Sequence, residues 1–457
     1  MSSAQELADA TPADRDRYVD LLRVVALGVV MLGHFFMVAV VVEPDGAVEV
    51  TNALAEIPWA QWLTWVLQVM PVFFAVGGFS HAVGWASVER HGGSYADFMA
   101  ARVERLLRPT LVFIAIGATL GVVVEASGNL SGTATMILRV IPQPLWFIGI
   151  YLAVVLLAPP MLRAHRRWGL RVLVVLFAAT ATVDVLRLAL DAPEVVGYLN
   201  FAFVWLAVHQ CGFFYADGVA DRGGRRLAAA LAVGGLAATA GLVLLGPYPV
   251  SMVTLPGDEV SNMTPPSLAL LTLSVWLMGL ALLLRPLATR RLRATRTWTV
   301  VVAANGVVMT AFLWHLSAII AVDGALVLAG APMFPMVGSA EWWLLRIPFL
   351  VLTAAVLAVF VGAFRRFERP RRWVIPAVAH RRRHRDGGAT IGACLALFGI
   401  LGLSVAGVAG VLSLRTATLV VVPMASLPSV ALVAVGYWLT VRSARATTVA
   451  RDPQRAP

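Results

Sequence analysis

Long apolar runs separated by short polar, arginine-rich gaps repeat over nearly the whole chain. A helix needs roughly 20 apolar residues to cross a hydrocarbon layer of about 30 Å. Runs of that kind lie near residues 19–42, 60–86, 109–125, 144–162, 170–190, 197–216, 227–246, 267–285, 299–321, 344–364, 390–413 and 417–440. The pattern predicts an all-α polytopic transmembrane helical bundle of about 10 core spans plus a C-terminal two-helix hairpin, about 12 spans in total. In the second run the pair Gly77-Gly78 marks an expected break, and the last two runs sit tightly together.

The same pattern divides the chain into an N-terminal tail (1–18), a transmembrane core (19–365), a basic linker (366–388), an additional hairpin (389–441) and a C-terminal tail (442–457). Composition agrees with a membrane protein: 59% of the 457 residues are hydrophobic and only 13% charged. A soluble domain could not bury that much apolar surface. The first run has no small-residue cleavage site after it and reads as a retained span, not a signal peptide. Cys211 and Cys394 both lie in apolar stretches, which argues against a disulfide framework or a thiolate metal site.

The net charge of +11 comes from arginine alone, since the chain has no lysine. It is concentrated in alternate gaps: 102–108, 163–171, 221–226, 285–296 and 365–385. The intervening gaps are poor in arginine and hold Glu43, Asp45, Glu49 and Glu56, then Asp258 and Glu259, then Glu341. That alternation orients a bilayer protein and gives no reason to invoke nucleic acid. By the positive-inside rule both termini and the arginine-rich loops are cytoplasmic, in a multi-pass protein of the cell's inner (plasma) membrane. Trp59, Trp62 and Trp65, and then Trp342 and Trp343, fall at proposed outer span ends and read as interfacial anchors.

Three ionisable residues interrupt the first run: Asp20, Arg23 and His34. In a helix the eleven steps from Arg23 to His34 make three turns plus about 20°, so both lie on one face roughly 16 Å apart along the axis. Asp20 is placed to pair with Arg23 one turn away. Ionisable groups at such depth face a bundle interior or a water-filled cavity far more often than lipid. Alternatively, Arg23 snorkels to the surface with Asp20 as its compensation, and His34 makes an interhelical hydrogen bond.

The segment "YVDLLRVVALGVVMLGH" resembles the opening signature of the membrane acyltransferase-3 family, in which Arg or Lys is followed by ten residues and His. In order along residues 15–365 come further matching segments: "LQVMPVFFAVGGFSHAVGW", "RVERLLRPTLVF", "PLWFIGIYLAVVLLAPPM", "VWLAVHQCGFFYADG", "NMTPPSLALL" and "FLWHLSA". One departure is Gly77-Gly78-Phe79, where many members have Ser-Gly-Phe; Ser80 follows only afterwards. The 389–441 hairpin is an addition to the family core, and the fused hydrolase domain of some members is not seen in this sequence.

The resemblance implies transfer of an acyl group, commonly acetyl, from cytoplasmic acyl-CoA to a hydroxyl or amine of a carbohydrate or lipid-linked envelope acceptor. Acyl-CoA, most often acetyl-CoA, would be a co-substrate, with no cofactor held permanently. His34 is then the candidate general base or acyl-carrying nucleophile, since an ordinary imidazole titrates near about 6.5. Arg23, Arg102, Arg105 and Arg108 are candidates for the CoA phosphates, because guanidinium forks match phosphate oxygens. His315, counted at a similar depth to His34, would orient the acceptor, assist proton transfer or simply pack. His209, Trp146 and Asn262 are further supporting candidates, each with a packing, anchoring or loop role as its alternative. No metal site is expected: His380 and His384 have helical spacing but stand in a dense arginine run. The competing class is a transporter or flippase using Asp20, Arg23 and His34 as a relay, with Asp184 near Arg187 as a further coupling group.

Overall fold

The computed structural model describes residues 4–12, 14–42, 48–128, 132–330, 334–368 and 383–445. Among these, twelve long helices dominate: α1 (Arg17–Met37), α2 (Met70–Arg90), α3 (Tyr95–Ala126), α4 (Pro144–Trp168), α5 (Leu170–Leu188), α6 (Asn200–Ala216), α7 (Val219–Leu245), α8 (Leu268–Leu292), α9 (Val308–Leu328), α10 (Ala340–Phe364), α11 (Arg383–Ala406) and α12 (Ser426–Arg445). Eleven of the described helical stretches are long and apolar enough to span a membrane. The remaining long helix, α5, carries Arg171, Asp184 and Arg187 within its length. Most of the expected basic linker, His380, Glu43, Asp45 and residues 446–457 lie outside the described residues.

Several boundaries differ from the hydropathy reading, and each has a local cause. The first run does not remain helical to residue 42. After Met37 the β-branched stretch Val38–Val42 pairs antiparallel with Val48–Asn52. In the second run the break falls at Gln68, not at the glycine pair, and α2 continues through Gly77-Gly78. The ninth run divides at Gly306 into a short helix, Thr295–Asn305, and α9. At the C-terminus the tight turn between the last two runs is a two-stranded ribbon, Thr416–Leu419 with Val422–Ala425.

The chain forms two compact units, Met1–Phe79 with Leu162–Phe360 and Ser80–Met161 with Val361–Pro457. In the first unit small residues let helices approach closely, as membrane helices without a solvent-driven hydrophobic effect require. A side chain at Gly78 of α2 would run into the backbone carbonyl of His209 on α6, and one at Gly212 into that of Ala75. The neighbouring rings of Phe74 and Trp205 stack at 4.4 Å. Close approach is therefore what this glycine position supplies. Gly235 of α7 and Gly279 of α8 meet the backbones of Trp276 and Ala232 in the same way.

The tryptophans expected at an interface are divided. Trp59 and Trp62 are exposed, whereas Trp65 is buried and donates its indole N–H to the Val250 carbonyl at 2.9 Å. In the second unit α11 and α12 interlock through Gly392 and Gly436 and pack on α3. The Glu125 carboxylate on α3 accepts the N–H groups of Leu412 (2.9 Å) and Ser413 (2.8 Å), holding the loop that follows α11.

Replacing Gly78 by Ala should lower the melting temperature of the purified protein, because overpacking of a backbone contact costs about 1–3 kcal/mol. Gly241→Ala, where a methyl meets nothing within 4 Å, is the matched control and should leave it unchanged or raised.

Candidate active site

α1 starts where Asp16 caps it, its carboxylate accepting the N–H groups of Tyr18 (3.0 Å) and Val19 (3.3 Å). The other Asp16 oxygen accepts the Tyr215 hydroxyl at 2.7 Å, tying this helix end to α6. One turn on, buried Asp20 binds Arg15 through two hydrogen bonds, at 2.6 and 3.0 Å. That bond holds the Arg15 guanidinium above its ordinary pKa despite partial burial. Arg23 lies farther from the same carboxylate, at 3.5 Å. The local pair expected from spacing therefore exists, but its tighter partner is Arg15, which precedes the apolar run.

Because α1 is continuous from Arg17 to Met37, Arg23 and His34 keep the shared face that eleven helical steps impose. His34 is only partly buried, and His315 of α9 is almost fully buried. Their rings meet through His34 Nδ1 and His315 Nε2, 2.7 Å apart. With centroids 5.0 Å apart and planes within 8°, such a short N···N contact places the nitrogens between the rings. The imidazoles are thus joined edge to edge and are not stacked face to face.

The hydrogen-bond network also assigns the tautomers. His315 Nδ1 is 2.5 Å from the Phe312 carbonyl, which can only accept, so this nitrogen carries the proton. In neutral His315 the lone pair is then on Nε2, and His34 Nδ1 must donate to it. The proton-free nitrogen of neutral His34 is Nε2, whose lone pair is uncommitted among the described residues. The arrangement can do what an oriented imidazole base does: take a proton at Nε2 and spread the resulting charge to a second imidazole.

The end of the same helix is closed by a residue that sequence reasoning missed. Turning into a strand at Val38 leaves the last carbonyls of α1 without helical partners. Arg346 of α10 donates to the carbonyls of Phe35 (3.3 Å) and Val38 (3.0 Å), with its guanidinium 4.1 Å from the Trp342 ring. Hydropathy gave no hint, since one arginine in a strongly apolar span resembles any interfacial charge.

The remaining sequence candidates have separate settings. Arg102, Arg105 and Arg108 belong to the second unit and lie within α3, which starts at a Ser94–Asp97 capping box. Arg102 donates to the Ser80 carbonyl at 3.0 Å, and Arg105 is exposed. Trp146, partly buried, opens α4 in the same unit. His209 is fully buried against Phe213 on α6. Asn262, also fully buried, donates to the carbonyls of Pro249 (2.8 Å) and Ser251 (2.9 Å) and accepts from Ser267 (2.7 Å), so its amide organises its own loop.

Asp184, the coupling group of the transporter reading, accepts hydrogen bonds from Asn200, Tyr248 and the Leu268 N–H, between 2.7 and 2.9 Å. Burial, and then the neighbouring carboxylate, push the Tyr248 hydroxyl above the usual phenol range, which keeps it a donor. So many fixed partners make Asp184 a tether of the loop before α8. A second unanticipated cluster joins buried His165 to Asp217 (2.9 Å) and Gln210 (3.2 Å). Among the described residues no three His, Cys, Asp or Glu side chains converge as a metal site would require.

Neither a curated relative nor a solved structure matches the chain. The profile of the acyltransferase-3 family, described as an acyltransferase domain, matches residues 16–365. That stretch holds α1, with Arg23 and His34, and α9, with His315. The chain is a multi-pass membrane protein with many apolar helices, and it belongs to the acyltransferase-3 family of acyl-transferring enzymes.

Proposed function

We propose that the protein moves an acyl group, acetyl in the first instance, from cytoplasmic acyl-CoA to a hydroxyl or amine of a carbohydrate or lipid-linked acceptor of the cell envelope. The observation that carries this reading is the His34–His315 pair, with an uncommitted Nε2 on His34. His34 Nε2 takes the proton of the acceptor hydroxyl as its oxygen attacks the thioester carbonyl. The C–O bond forms, the C–S bond breaks, and the departing CoA thiolate recovers the proton from the imidazolium. His315 stabilises that imidazolium through the Nδ1–Nε2 hydrogen bond. Arg23, on the same helix face and about 16 Å nearer the helix start, suits the phosphates of CoA. Both termini and the arginine-rich loops face the cytoplasm of the plasma membrane in this reading, so donor and guanidinium groups share one side.

Membranes containing the protein, given radiolabelled acetyl-CoA, should transfer label to lipid-linked or polysaccharide fractions. His34→Ala should lower that rate by at least about 10²-fold with unchanged membrane insertion; retained activity removes the base assignment. His315→Phe should lower kcat about tenfold or more while leaving the acyl-CoA KM in place, as expected for a group acting through His34. Arg23→Ala should raise the acyl-CoA KM about ten- to hundredfold, the equivalent of about 1.5–3 kcal/mol for a charged hydrogen bond; Arg23→Lys should recover part of it. Orientation is tested in a background lacking Cys211 and Cys394. An impermeant maleimide should label Glu259→Cys in intact cells but Arg290→Cys only after lysis.

A further inference from the structure

α1 ends in the turn that carries the proposed base. The Val38 N–H closes the helix onto the His34 carbonyl, so His34 stands in its last turn, where helices open most readily. A base placed there needs an external hold, because a displacement of about 1 Å can cost about 10²-fold in rate. Arg346 of α10 supplies that hold. Its guanidinium reaches the carbonyls of Phe35, the residue after His34, and Val38, the first residue beyond the helix. The Trp342 and Phe35 rings flank it, with centroids at 4.1 and 5.5 Å.

All of these partners are neutral, yet Arg346 is buried, and a guanidinium keeps its charge in a protein. A buried cation in an apolar bundle requires a counter-charge. The carboxylate that faces it is Asp323 of α9, across a gap with room for about one water molecule. Among the described residues Asp323 accepts no direct hydrogen bond, and its polar relation there is the attraction for Arg346.

Asp323 lies on the helix that also carries His315, eight residues further on and about 12 Å along the axis. α1 is therefore attached to α9 in two ways. His34 meets His315 directly, and the end of α1 is linked to Asp323 through Arg346. Phe35 of α1, Leu316 and Ile319 of α9 and Phe349 of α10 join the three helices in one apolar cluster. The second attachment fixes the rotation of the helix end; the histidine contact alone would let it pivot about a single hydrogen bond.

Resting on the acyl-transfer reading, we infer that Arg346 is a positioning residue for His34, and that Asp323 acts through it as the counter-charge that keeps it on the α1 carbonyls. The pair touches neither substrate. It sets the separation across which His34 shares its developing charge with His315.

The test uses the full chain in lipid nanodiscs, assayed below the melting onset of every variant. Arg346→Met should lower kcat about tenfold or more with the acyl-CoA KM unchanged. Arg346→Lys, whose ammonium still donates to carbonyls, should recover part of the loss. Asp323→Asn should lower kcat at least about threefold in the wild-type background and no further in Arg346→Met. A readout independent of turnover is the Nδ1–H proton of His34, followed by NMR in protein with nitrogen-labelled histidine and assigned by its loss in His34→Ala. Its exchange with water should speed up at least about tenfold in Arg346→Met and in Asp323→Asn. Unchanged exchange, or unchanged kcat in Arg346→Met of an active protein, overturns the positioning role. An equal Asp323→Asn loss in both backgrounds overturns the link between the two residues. Should Arg346→Met not fold, Asp323→Asn keeps both carbonyl donors and decides by the same two readouts. Faster exchange in these variants of a protein whose wild type transfers no acetyl group would keep the positioning role and remove the acyl-transfer reading.

Discussion

Polar groups inside an apolar bundle must find partners within the chain, because hydrocarbon offers no hydrogen bonds. α1 answers this constraint at three depths. Asp16 and Asp20 are satisfied at its start by backbone N–H groups, Tyr215 and Arg15. His34 is satisfied near its end by His315. Beyond His34 the helix stops, and Arg346 takes the carbonyls that the last turn leaves open. Each solution recruits a different part of the chain.

The same constraint distinguishes structural from chemical polarity. Asp184 and Asn262 have partners on several sides and hold loops in place. His34 is different because one nitrogen is committed and the other is not. The commitment follows from a single acceptor-only group, the Phe312 carbonyl, which orders the protons along the pair. A base oriented in this way loses less entropy on reaction than an imidazole free to rotate.

Close backbone packing supports these pairings. Gly78 and Gly212 bring α2 onto α6, and the departure from a serine pattern ahead of Phe79 sits beside that contact. In the second unit the hairpin α11–α12 does not merely trail the family core. It interlocks through glycines and packs on α3, while Glu125 anchors the loop that follows α11.

Hydropathy and charge alternation were sufficient for the class of fold and nearly all the long helices, because both depend only on neighbours along the chain. Helical spacing likewise placed Arg23 and His34 on one face, since α1 is unbroken between them. Local signals failed where they competed: valines turned the end of the first run into a strand, and Gln68 broke the second run where the glycines did not. Arg15 was overlooked because it lies outside the apolar run. The sequence by itself determined a polytopic helical protein with an ionisable stripe and a family signature. Only the tertiary structure decided that His34 meets His315 across 281 residues, which nitrogen is left open, and that Arg346 closes the helix beside it. Those pairings depend on which helices pack together, and no periodicity within a single helix encodes that.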